Sequence, residues 1–165
     1  MNKPKEAESE RLGIVYPNAG GIDVGATEVY VCVPTGRDAA GPRVRRFETY
    51  TPDLEAMAAW LVACQVDRVA LESTGVYWIP IYEIVSKYGI KVEVVNAHHI
   101  KNVPGRKSDV QDCQWIQQIH SYGLLRGSFR PDEDIVVLRS YLRHRESLIE
   151  YRASHIHHMQ KAMTQ

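Results

Sequence analysis

The sequence predicts an α/β fold: a mixed sheet flanked by helices, with one long helix at the C-terminal end. Three observations carry this reading. Three β-rich runs, GGIDVGA, EVYVCVP and RVRRFETY, follow one another closely, separated by short segments with Gly, Thr and Pro. Strand-like and helix-like stretches then alternate. Finally, apolar residues recur every seven positions after Pro131.

Taken in order, residues 1–18 are polar, aperiodic and carry a late Pro17, and are expected to form a loose leader before the first strand. The three runs read as an antiparallel meander joined by turns. A helix follows with Thr51 as cap and Pro52 at its first position; Leu54, Met57, Ala58, Leu61 and Val62 keep a 3.6-residue period, and the helix ends near Gln65. The apolar run Arg68 to Glu72 is a fourth strand, Tyr77 to Tyr88 a helix stopped by Gly89, and Lys91 to Val95 a fifth strand. Strand, helix and strand at this spacing imply a parallel crossover with helices packed on the sheet. Residues 97–107 read as a loop broken at Pro104 and Gly105, after which Ser108 caps a helix from about Asp109 to Ser121. The order β-β-β-α-β-α-β-α is that of an RNase H-like sheet.

The last helix carries Ile135, Leu142, Ile149, Ile156 and Met163 at one heptad position, with Leu138, Arg145, Arg152 and Met159 at the intervening one. An apolar seam interrupted by two arginines predicts a coiled-coil arm that accepts a restricted set of partners or registers. The alternative is a helix lying on its own domain's core. The expected organisation is a leader over 1–18, an α/β domain over 19–130 and a helical arm over 131–165.

Composition narrows the function. No stretch of eighteen apolar residues appears, and the charged N-terminus lacks the apolar segment of a secretory signal, so the expected location is the cytoplasm with no membrane partner. Cys32, Cys64 and Cys113 lie far apart with no CxxC spacing, which leaves them reduced, two of them in the core. Lys plus Arg and Asp plus Glu both total 20, yet residues 1–100 hold 10 basic and 13 acidic side chains against 10 and 7 in residues 101–165. The second part is the expected nucleic-acid face.

Asp23, in GIDVG, and Glu72, in LESTG, are acids in otherwise apolar strands, where burial costs several kcal/mol unless a cation or donors compensate. Asp109 and Asp112 share a helix face at i and i+3, and a helix packed on the sheet would aim both at the ends of strands one and four. Four convergent carboxylates suit Mg²⁺ or Mn²⁺ and metal-assisted phosphodiester chemistry. Lys101, Arg106 and Lys107 precede the pair on the Pro-Gly loop as candidate phosphate contacts, and Arg139, Arg143, Arg145 and Arg152 make the arm a candidate RNA-binding face. Tyr77 is a candidate base-stacking group beside the acids, while Trp78 is assigned to the core.

Beyond these residues, GIDVG, ALESTGVYWIPIYEI, the stretch from VVNAHHIKNVPGRKSDVQDC to GLLRGSF, and LRSYLRHRESLIEYRASHIHHMQKA together resemble the DEDD transposases, or recombinases, of the insertion-sequence one-ten group, especially its eleven-eleven branch, from about Gly20 to Gln165. The resemblance implies a RuvC-like domain whose DEDD tetrad falls on Asp23, Glu72, Asp109 and Asp112. It also implies DNA recombination guided by a bridge RNA that pairs with donor and target DNA, and a homo-oligomer, dimer or tetramer, formed through the arm. In that family a second domain carries a catalytic serine; the chain is expected to stop before it, no serine here takes that role, and the fragment alone is expected not to recombine DNA. Two other functions compete. One is a non-catalytic RNA-binding and dimerisation module. The other is an actin-like or sugar-kinase ATPase, prompted by GIDVGAT but opposed by the lack of a second phosphate loop.

Overall fold

In the computed structural model, residues 13–39, 41–73, 75–96 and 108–164 are described. The expected loop over 97–107, with Lys101, Arg106 and Lys107, lies outside them. The chain divides into two compact units, Met1–Ser128 and Phe129–Gln165.

The first unit is built on one mixed sheet of strands β1 (Ala19–Val24), β2 (Glu28–Cys32), β3 (Val44–Glu48), β4 (Arg68–Glu72) and β5 (Lys91–Val95), in the order β3-β2-β1-β4-β5. The β1–β2 and β2–β3 pairs are antiparallel, and β1–β4 and β4–β5 are parallel. This is the RNase H-like arrangement expected, with β1 at the centre. Helices α1 (Thr51–Ala63) and α2 (Trp78–Lys87) supply the crossovers, and α3 (Asp109–Ser121) follows β5.

Alternation along the strands sorts side chains between two faces. Ile22, Val24, Val29, Val31, Val69, Leu71 and Val94 pack with Leu54, Met57, Leu61, Ile81 and Val85 of α1 and α2 in the larger apolar cluster. Ala70 and Val95, on the opposite face, pack with Ile116 and Ile119 of α3 in a smaller one. Each helix covers one face because its apolar residues recur at helical spacing while the strands alternate. Trp78 is half-buried against the larger cluster and meets Tyr82 edge-on, as a core residue does, whereas Tyr77 is exposed.

Helix ends follow local chemistry. The Ser108 side chain accepts from the Gln111 N–H, capping α3 as expected. Helix α1 differs by one residue: Tyr50 is its extended N-cap and makes no side-chain cap bond, so Thr51 is already helical and Pro52 sits where no intrahelical donor is needed. Gly89, at φ 78°, takes the left-handed conformation that ends α2 without a Cβ penalty. Of the expected leader, residues 13–18 are described, and the N–H groups of Val15 and Tyr16 both donate to Ser121 O at the end of α3, 2.9 Å away. All three cysteines are free and buried, one more than the core was expected to hold.

The second unit contains α4 (Glu133–Met163), 31 residues long. Its heptad residues Ile135, Leu138, Leu142, Ile149, Ile156, Met159 and Met163 are all exposed. Among the described residues no helix is long and apolar enough to cross a membrane.

Candidate metal centre

The site begins with Gly21. A Cβ at this position would lie 2.3 Å from Gln117 N and 2.6 Å from Cys113 O, so only glycine lets the backbone of α3 rest directly on β1. Two residues on, and therefore on the same face of the strand, is Asp23. The N-terminal turn of α3, which carries Asp109 and Asp112, reaches that strand end, where two acids also complement the positive end of the helix dipole.

One carboxylate oxygen from each of Asp23, Asp109 and Asp112 lies within 4.8 Å of the other two; Asp109 is exposed, and Asp23 and Asp112 are half-buried. Glu72 lies one position past the Ile22–Leu71 register pair, at the end of the strand beside β1, and is 5% exposed. The sequence pattern anticipates four converging acids; three of them, Asp23, Asp109 and Asp112, come within this distance of one another, and Glu72 ends the strand next to that of Asp23.

The donor set fits a hard divalent cation. All three ligating groups are anionic oxygens with no histidine or thiolate among them, and the exposed side leaves room for water or phosphate oxygens to complete the coordination. Without a cation the three charges repel one another. That combination makes the group one that could hold a metal ion.

Two neighbours escaped the sequence reading. Tyr30 is the direct cross-strand partner of Asp23; partial burial, followed by the charges of Glu28 and Asp109, raises its phenol above the usual value, and its hydroxyl is 3.4 Å from Glu28. Its place in the meander register was the signal that could have found it. Gln117 is buried, donates to Ala19 O at 3.0 Å and accepts from Arg43 at 2.7 Å. Cys32 pairs with Gly21 across the sheet, Cys113 donates to Val110 O at 3.2 Å, and the neighbouring Cys32 thiol, followed by burial, pushes the Cys113 thiol up.

A family model for DEDD transposases of the IS110 group matches residues 20–165. The chain belongs to this family. No curated protein matches it. Membership of this transposase family supports a role in DNA transposition or recombination, by an enzyme that cleaves and transfers DNA strands, and metal dependence of the DEDD type agrees with the carboxylate group built on β1 and α3. The arginines Arg139, Arg143, Arg145 and Arg152 of this transposase all lie exposed on α4, in the second unit.

Proposed function

We propose that residues 19–130 form the RuvC-like, metal-binding catalytic domain of a bridge-RNA-guided DNA recombinase of the eleven-eleven branch, and that residues 131–165 form a coiled-coil arm. The observation that carries the chemistry is the meeting of Asp23 with Asp109 and Asp112 in a chain of this family. These three residues hold Mg²⁺ or Mn²⁺, with Glu72 contributing from the neighbouring strand end. The bound ion supplies Lewis-acid stabilisation of charge on phosphodiester oxygens and a more acidic nucleophile. The protein's part is positional. Asp23 is held by a central strand, Asp109 and Asp112 by the capped start of a helix, and the exposed side of the group admits a nucleic-acid strand.

The resemblance supports the partners: a bridge RNA, donor and target DNA, and further copies of the chain joined through the exposed heptad seam. Lys101, Arg106 and Lys107 are assigned to phosphates near the acids, and Arg139, Arg143, Arg145 and Arg152 to the RNA backbone. Residues 1–165 by themselves are expected to bind metal without recombining DNA.

Calorimetric titration of the chain with Mn²⁺, comparing wild type with Asp23→Asn and repeating with ATP, tests the centre. Binding that is lost in the variant and indifferent to ATP is the expected result. Binding that requires ATP would establish the kinase-like alternative instead, and equal binding by both proteins would remove Asp23 from the site. For the arm, joint replacement of the four arginines by glutamate is expected to weaken RNA binding; unchanged affinity would leave the arm without that role.

A further inference from the structure

Gln117 is an amide in the middle of a helix whose neighbours on the same face, Cys113, Ile116 and His120, are also buried. It is 6% exposed, and both ends of its side chain are used: Nε2 donates to Ala19 O at 3.0 Å, and Oε1 accepts from Arg43 Nη2 at 2.7 Å. A buried amide that loses its partners carries the full cost of its desolvation, so the helix is strongly favoured at the one axial position where both bonds form. Gly21 enforces the same position from the strand side, since its missing Cβ is the space taken by Gln117 N, Gln117 Cα and Cys113 O.

The consequence is transmitted to the acids. Asp112 and Asp109 lie one and two turns toward the N-terminus of the same continuous helix, so any slide of α3 along β1 displaces both relative to Asp23 by the same amount. A slip of one residue is about 1.5 Å. That exceeds the difference between a Mg²⁺–oxygen distance of about 2.0–2.1 Å and a Ca²⁺–oxygen distance of about 2.3–2.6 Å, and Mg²⁺ demands near-octahedral geometry where Ca²⁺ is permissive.

We propose that Gln117 and Gly21 are positioning residues that lock the register of α3 on β1 and so make the carboxylate group selective for a small divalent cation over Ca²⁺. Neither residue touches the reacting atoms; the inference rests on the metal-centre reading above and adds what sets its selectivity.

The test is calorimetric titration of the chain with Mg²⁺ and, separately, with Ca²⁺, for wild type, Gln117→Met and Gly21→Ala, with melting temperatures recorded alongside. Gln117→Met keeps the volume and removes both hydrogen bonds. It is expected to weaken Mg²⁺ binding about tenfold or more, as loss of supporting groups around a metal site commonly does, while Ca²⁺ binding falls by less than about threefold because its geometry is permissive. Gly21→Ala is expected to shift the ratio further; if it does not fold, Gln117→Met decides alone. A parallel fall for both ions, or no change for either, overturns the lock while leaving the metal centre standing. Failure of the wild type to bind either ion overturns the metal centre and the lock with it.

Discussion

Replacing Asp112 by Asn should make the metal-free protein more stable and the metal-loaded protein less so, reversing the order of the two melting temperatures. Three carboxylates lie within 4.8 Å of one another, and the substitution removes two of the three repulsive pairs. At that separation in a water-like dielectric each pair costs about 0.9 kcal/mol. Screening at physiological salt, with a Debye length of about 8 Å, reduces each to about 0.5 kcal/mol. These are the appropriate values for a group with Asp109 exposed. Against the gain of about 1 kcal/mol stands the loss of one acid from the first turn of α3, about 0.3–1 kcal/mol. The net at physiological salt is a few tenths of a kcal/mol, and at low salt, where screening fades, about 1 kcal/mol, or roughly 3 °C. With the cation at about a hundred times its dissociation constant, the wild type gains ~2.7 kcal/mol that the variant does not. Thermal melts in chelator and in Mg²⁺, at two salt concentrations, read both effects. A variant less stable than wild type in chelator at low salt, or an equal metal-induced shift in both proteins, would refute the reasoning.

Two further outcomes are expected. His120 is 1% exposed, neither of its ring nitrogens has a hydrogen-bond partner among the described residues, and burial lowers its pKa despite the opposing charge of Glu93, with Arg68 and Lys91 acting in the same direction as burial. Its folded pKa is therefore below the unfolded value of about 6.5, so the unfolded state takes up the proton first and stability falls as pH drops below that value, by at most about 1.4 kcal/mol per pH unit, until the folded pKa is passed. Urea unfolding across this range should show the slope in wild type and a flatter profile in His120→Met; identical profiles would assign the acid sensitivity elsewhere. On α4, the pair Leu142→Asp and Ile149→Asp should abolish concentration-dependent self-association in sedimentation equilibrium without altering the melt of the first unit, and a wild type that stays monomeric would remove the coiled-coil reading.

Much of this protein could be read locally. The meander, the Ser108 cap, the stop at Gly89 and the strand from Lys91 to Val95 rest on turn chemistry, capping and periodicity, all of which act over a few residues, and so they survive in the folded chain to within a residue or so. The acids too were visible, because Asp23 and Glu72 interrupt apolar strands and Asp109 and Asp112 share a helix face. What no local pattern contains is how far apart these acids stand. That distance depends on β1 lying between β2 and β4, on α3 crossing over β1 at Gly21, and on Gln117 finding Ala19 and Arg43 as partners, residues far from it in the chain. The same packing brings Asp23, Asp109 and Asp112 together and shuts His120 away from water. Short-range hydrogen bonding and side-chain period decide which elements exist; the close packing of one backbone on another, resolved to fractions of a residue, decides which charges meet.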